Sequence, residues 1–536
     1  MAEIDEFALN ANLIQRMNIG DTLTRTASRT PNQLAIIEGD RRISYIELNR
    51  RVNAMAHALL DSGYRRGDAL ALMAGNCTEF LITYFACAKI GLICVPLNLG
   101  WKEPEIVYVL DHSKAVAIVV EAHLVAQLGP ALSESPGIKR VIVTPGLTGS
   151  YVREDDGRDW TELDQFTDGF DTSEPEVFVA DRDPVSYLYT SGTTSAPKCV
   201  SSSHLSVYVE SLTVDVEMGY VSSDKSAAVM PLFHTAQLNG FITPLVIVGA
   251  TVVLMRGFDP DQLLNLIEQE SITHIFGLPM MYRALLARSD IRERKLGSLR
   301  RAVYAMAPMP DADLRAAIEI FGCGFSLAFG QTEMAPVTTI FRPEHQLSHA
   351  GSVGTPAVNV QVEIMDDDGK ILGPGESGEV VYRSPQTMEG YNRNEEATRA
   401  AFAYGWFHSG DIGHFDAEGF LWFEDRKKDI IKTGGENVAS IEVEKAIYDV
   451  ADEVNEVVVI GLPHPRWGEA ITAVVTSRPG AQLDRDVVLA KAKQRLSSFK
   501  APKAVVLIDE LPRTSTGKVQ KNVLRERLSD LYSDEA

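Results

Sequence analysis

Over residues 18–143, apolar positions recur at helical spacing and then crowd into short β-branched runs, and this alternation restricts the fold more than any other feature of the chain. Tyr45 to Leu60 has the helical period, whereas Ala69 to Met73 and Ala115 to Val120 are short apolar strands. Strands that alternate with helices bury both faces of a largely parallel sheet. Phe80 to Leu99 is the most apolar window, but Lys89, Gly91 and Pro96 interrupt it, so it reads as a buried helix running into a strand and not as a membrane span.

The pattern resumes after an acidic stretch, Asp155 to Asp183, that lacks periodicity and is expected to be a surface connection. Strands are expected at Val185 to Tyr189, Lys225 to Met230, Thr251 to Met255, His274 to Gly277 and Ala302 to Tyr304, with helices at His204 to Met218 and Pro260 to Glu270. From Gly351 the period shortens to two between Gly-rich turns, at Gln361 to Met365, Gly378 to Arg383 and Gly419 to Glu424. Past Arg426, short strands and two helices, Ile441 to Val450 and Asp486 to Leu496, spell a compact α+β domain. The expected architecture is α/β. A large N-terminal domain, residues 1–425, holds two layered α/β sheets and a small antiparallel β barrel, and a small mobile α+β domain follows at 426–536.

With 536 residues the chain exceeds one core. A net charge of −22 repels nucleic acid and anionic lipid, so neither is an expected partner, and no stable membrane insertion is expected. Cys77, Cys87, Cys94, Cys199 and Cys323 are odd in number and form no C-x-x-C pair, which argues against a disulfide framework or a zinc site. Acidic residues near the start, with no basic-then-apolar order, are not those of a usual secretory signal, and a cytoplasmic location is expected. Oligomeric state leaves no mark in the sequence.

One stretch resists a packing explanation. Tyr189 to Lys198, YTSGTTSAPK, is too rich in Gly, Ser, Thr and Pro to continue a helix or hold a buried strand. Seen alone it reads as a flexible linker. Its backbone N–H groups, hydroxyls and terminal cation are also what a polyphosphate needs. The Walker spacing of Gly and Gly-Lys-Ser/Thr is absent, so an ordinary P-loop NTPase is disfavoured.

Further motifs follow it in order: PLFHTAQLNG at Pro231 to Gly240, FGQTE at Phe329 to Glu333, WFHSGD at Trp406 to Asp411, DRKKDIIKTGGENV at Asp425 to Val438, and PRTSTGK at Pro512 to Lys518. With the loop, these resemble the AMP-forming adenylating superfamily of acyl-CoA synthetases, peptide-synthetase adenylation domains and luciferases, over nearly the whole chain. The resemblance implies a reaction in two halves. A carboxylate attacks the α-phosphorus of ATP to give an acyl-adenylate and pyrophosphate, and a thiol, here CoA, then displaces AMP. ATP and CoA are thus co-substrates and Mg2+ the cofactor.

The resemblance also assigns roles. Lys518 is the catalytic lysine, although in PRTSTGK alone it would read as a solvated tail residue. Thr194 and Glu333 hold the metal, and one carboxylate suffices for Mg2+. Nucleotide contacts fall to Thr190, Ser191, Gly192, Thr193, Thr194, Lys198, Ala307, Pro308, Phe329, Gly330, Gln331 and Thr332, with Asp411 on the ribose hydroxyls and Arg426 beside it. His234, which from its apolar run alone would read as a packed core histidine, closes the acyl pocket, with Ala305, Met306 and Gly330 lining it. Gly434, Gly435, Trp467, Phe499 and Lys503 line the CoA channel, a basic run from Lys491 to Lys521 suits the same polyanion, and Lys428 is the hinge between half-reactions.

PLFHTAQLNG lacks the acidic residue that holds an amine in peptide-synthetase domains, which disfavours an amino-acid substrate. An apolar fatty or aromatic acid is expected. Three departures stand out. Ser195 and Cys199 replace usual glycines, which puts a positive φ there in doubt. Met306 replaces a Gly and should narrow the acyl pocket. Ser440 replaces a Pro and is expected to matter little. Two alternatives remain at this point: an adenylating enzyme with a different acyl acceptor, although no carrier module is expected, and a nucleotide-binding paralogue without turnover.

Overall fold

The computed structural model describes every residue except 1–4, 148, 154–155, 191–196, 307–308, 479, 515–516 and 534–536. The chain divides into two compact units, residues 1–361 with 383–402, and residues 362–382 with 403–536.

The first unit is built on two large mixed sheets. One has nine strands, five of which continue the expected α/β pattern: Thr251–Leu254, Lys225–Ala228, His274–Gly277, Arg301–Tyr304 and Gly324–Gly330 lie side by side and parallel. Val337–Phe341 then pairs antiparallel with Gly324–Gly330. TVVL and HIFG are buried along their whole lengths, as strands covered on both faces must be. The other sheet has eight strands and ends Pro184–Thr190, Lys198–Ser203, Gly390–Tyr391, these three pairing antiparallel.

Helices form where the sequence signals them. Tyr45–Asp61 starts at Ser44, whose hydroxyl accepts the Glu47 N–H at 3.3 Å. Thr78–Ile90 is buried throughout and stops at Gly91 with a φ of 72°. His204–Met218 is capped by Ser203 and stopped by Gly219 in the same way. Between helices and sheet the core is aromatic, with Phe241 stacked on Phe276 at 4.1 Å.

The acidic connection is more structured than its composition suggests. It contains a strand, Asp159–Glu162, that joins the eight-stranded sheet, and a short helix, Leu163–Thr167. Glu174 then reaches Lys89 Nζ at 2.5 Å. Lys89 is 1% exposed and also donates to Thr24, Asn49 and Asn53, so its charge is satisfied inside the helical layer.

The second unit holds nearly all of a four-stranded sheet, Gln361–Met365, Gly378–Arg383, Phe407–Phe415 and Leu421–Arg426, whose last three strands pair antiparallel. Its remaining sheet pairs Val454–His464 with Gly468–Ser477 over ten registered positions and adds Ala504–Leu507 in parallel. Helices Ser440–Tyr448 and Arg485–Arg495 cover one face of that sheet through Val443, Ile447, Val488 and Ala492. Among the described residues no helix is long and apolar enough to cross a membrane.

Candidate active site

In the first unit, the described acyl residues His234, Ala305, Met306 and Gly330, with Phe329, follow or end parallel strands at their carboxyl ends, where open α/β sheets bind ligands. His234 follows strand Lys225–Ala228 and caps helix Thr235–Phe241, its Nδ1 accepting the Ala236 N–H at 3.2 Å. That contact leaves the ring proton on Nε2 when the imidazole is neutral. Ala305 and Met306 leave the end of Arg301–Tyr304. Ala305 is buried, and Met306 is 42% exposed with a φ of 68°. A left-handed backbone favours glycine, so methionine here is strained as well as bulky.

Phe329 and Gly330 end the neighbouring strand. A Cβ at Gly330 would stand 1.9 Å from the Pro336 carbonyl oxygen, so only glycine fits. The same oxygen accepts the Gln331 N–H at 2.9 Å, folding the chain into the turn Thr332–Met334 that presents Glu333. Gln331 Nε2 is buried and has no hydrogen-bond partner among the described residues, a donor left for a ligand.

Thr190 and Lys198 are cross-strand partners and close the base of the Ser/Thr-rich loop. Ser191, Gly192, Thr193, Thr194 and Ser195 lie outside the described residues, as do Ala307 and Pro308. Cys199 is in extended backbone opposite Tyr189, so its side chain requires no positive φ and the doubt raised by the lost glycine does not arise there. Burial pushes its thiol up to about 12. The loop is braced at both ends: Tyr189 Oη meets His112 Nδ1 at 2.9 Å, and Tyr108 Oη donates to the Pro197 carbonyl at 3.3 Å.

Sequence reasoning missed Tyr391. Its hydroxyl donates to Glu333 Oε1 at 2.9 Å, while Lys198 Nζ stands 4.6 Å from its ring centroid. One neutral side chain therefore touches both an anion and a cation of the expected phosphate and metal site. The available signal was Gly390 just before it, an isolated glycine in a short strand, which marks a close approach. A Cβ there would meet Thr398 Cγ2 at 2.8 Å.

The second unit brings together Asp411, Arg426, Lys428 and Lys518. Asp411 and Arg426 are cross-strand partners, and Arg426 Nε lies 2.8 Å from Asp411 Oδ1. Asp411 is 1% exposed. Lys518 sits in a tight loop held by Thr514, which exchanges backbone and hydroxyl contacts with it, and by Arg513, which donates to the Gly517 carbonyl at 2.7 Å. Gly517 has a φ of 84°. Lys518 keeps an exposed surface, yet protein crowding around its ammonium lowers its pKa to about 8, helped by Arg426 and Lys428 and opposed by Asp411 and Asp429. Burial also lowers Lys428. Positive charge is thus concentrated beyond what its carboxylates compensate, a setting that favours an incoming anion.

Of the expected CoA residues, Gly434, Trp467 and Lys503 meet. Gly434 N–H donates to the Trp467 carbonyl at 2.8 Å, a Cβ at Gly434 would stand 3.2 Å from that indole ring, and Lys503 Nζ lies 5.1 Å from its centroid. Gly435 continues the turn with a φ of 89°, and Phe499 is 40% exposed. Ser440, expected to matter little, is firmly used. Its N–H donates to Asp425 Oδ2 at 2.6 Å and its hydroxyl accepts from Lys521 at 2.5 Å, the first of which a proline would forbid.

Among the described residues no three metal-binding side chains cluster. Glu333, a single carboxylate oriented by Tyr391, still suits Mg2+, which keeps waters and phosphate oxygens in most of its positions.

Two families match the chain: AMP-binding enzyme over residues 23–392, and AMP-binding enzyme C-terminal domain over 442–518. A feruloyl-CoA synthase of an Amycolatopsis species is 35% identical over 514 residues, covering 96% of this chain and all of that one. An indoleacetate–CoA ligase of Aromatoleum aromaticum is 33% identical, covering 95% of this chain and 98% of that one. Among solved structures, ATP-bound MatB from Rhodopseudomonas palustris superposes with a TM-score of 0.85 at 28% identity, covering 97% of this chain and 100% of that one.

Proposed function

Since the chain belongs to the family of AMP-binding enzymes and is an ATP-dependent, AMP-forming acid:CoA ligase, we propose that its substrate is an apolar aromatic or fatty acid and that Lys518, Glu333, Asp411 and Arg426 carry the adenylation. The observation behind the acid class is the edge formed by His234, Ala305, Met306, Phe329 and Gly330, which contains no carboxylate to hold a substrate amine. Relatives that act on ferulate and indoleacetate agree with it.

In this reading His234 closes the acid against the strand ends. The loop from Thr190 to Lys198 cradles the β and γ phosphates. Lys518 bridges the carboxylate oxygen and the α-phosphate, two anions that otherwise repel, and stabilises the charge that grows between them. Asp411 accepts from the ribose hydroxyls with Arg426 beside it, and Phe329 stacks on adenine without the hydroxyl a tyrosine would add. Mg2+, when bound, neutralises the phosphates, and Glu333 with Thr194 is the proposed holder. After pyrophosphate leaves, residues 426–536 turn about Lys428, and Gly434, Gly435, Trp467, Phe499 and Lys503 guide the pantetheine thiol to the acyl carbon. The enzyme works in the cytoplasm, where ATP and CoA are supplied and its five thiols stay reduced.

Purified protein with ATP, CoA and Mg2+, challenged with aryl, indolyl, fatty, dicarboxylic and amino acids, tests the acid class. AMP, pyrophosphate and thioester should form fastest with an apolar monocarboxylate, and M306G should admit bulkier acids. Best turnover of an amino acid or a dicarboxylate would overturn the assignment.

A further inference from the structure

Behind Glu333 lies a polar cluster with no part in the steps above. Glu210, on helix His204–Met218, is completely buried. Its Oε1 accepts the Val337 N–H at 3.0 Å and its Oε2 accepts Gln386 Nε2 at 2.8 Å. Gln386 is equally buried, and the same amide nitrogen lies 2.8 Å from the Met334 carbonyl and 2.7 Å from the Val337 carbonyl. Three acceptors therefore share its two hydrogens. Burial pushes the Glu210 carboxyl well above the usual carboxylate range, against the pull of Val337 and Gln386.

These contacts have one thing in common: they grip the turn that carries Glu333 from behind. Met334 and Val337 follow Glu333 on one side. On the other, Gln386 fixes the turn that runs on to Met388, whose N–H donates to the Glu333 carbonyl at 2.8 Å, and to Tyr391, whose hydroxyl orients the Glu333 carboxylate. Filling a buried space with a carboxyl and an amide costs desolvation that apolar side chains would avoid, so packing alone does not account for the pair.

We propose that Gln386, backed by Glu210, is a positioning residue that sets the reach and direction of the Glu333 carboxylate toward the metal-bound phosphates. This rests on the proposed metal role of Glu333. It is tested by the affinity of the full-length protein for Mn2+, read by electron paramagnetic resonance with a non-hydrolysable ATP analogue present, for wild type, E333Q, Q386L and E210Q. Loss of an outer-shell partner commonly weakens a metal site by about tenfold or more. E333Q and Q386L should each show such a loss, E210Q a smaller one of the same sign, and amides 331–337 of metal-free Q386L should exchange hydrogen faster. Unchanged Mn2+ affinity in E333Q would remove the metal role itself. Weakened affinity in E333Q with wild-type affinity in Q386L, even with a lowered Tm, would overturn the positioning role alone. Should Q386L fail to fold, E210Q decides: wild-type Mn2+ affinity in it overturns the proposal.

Discussion

The two units handle charge in opposite ways. In the first, Lys198 and Glu333 are spanned by one aromatic ring, and the glutamate's backbone and carboxylate are both held, so cation and anion are each fixed before any ligand arrives. In the second, burial first, and the neighbouring Arg426 and Lys428 second, lower the pKa of Lys518 to about 8 against the pull of Asp411 and Asp429. A balanced site gains orientation, whereas an unbalanced one gains attraction for a polyanion. The difference assigns geometry to the first unit and electrostatic pull to the second.

That contrast can be broken most severely at Lys518. K518A should slow ATP–pyrophosphate exchange by about 10²–10³-fold, the usual worth of one preorganised charge donor, while thioester formation from supplied acyl-adenylate is largely kept. Equal loss in both half-reactions would erase the division. Next comes pH. Because the folded pKa of Lys518 lies below its ordinary 10.5, the cation is present below about 8 and lost above it, so kcat/KM for adenylation should fall as pH rises through 8. K518R should carry that limb to higher pH, and an unmoved limb would assign it to another group. In the first unit Y391F keeps the ring over Lys198 but removes the hydroxyl from Glu333. It should lower kcat/KM for ATP by about tenfold, the scale of one hydrogen bond to a charged group, with no shift of the pH limb. The smallest effect is S440P, which takes the N–H from Asp425. It should cost about 1–3 kcal/mol in a urea melt without changing adenylation.

Period and punctuation made the sheets and most helices legible, because buried parallel strands such as TVVL and HIFG and capped helices such as SYIE carry their signals locally. Asp155 to Asp183 misled because its strand and its Glu174 take their order from distant partners, Lys89 among them. Asp411 and Arg426 face each other because they stand on adjacent strands joined by a short turn. Tyr391, Glu210 and Gln386 were not legible. Each acts through residues 49 to 176 positions away, and nothing in EGYN or RSPQ announces a partner at that distance.

Because Asp411 and Arg426 are cross-strand partners, the contact proposed to hold a ribose is also a gauge of assembly. Strands paired one residue out would turn Asp411 to the opposite face and leave a chain that is folded yet blind to ATP. Nucleotide added during refolding would bind only the correctly registered population and draw the others toward it by mass action. In that sense ATP is a proofreader of the protein that consumes it.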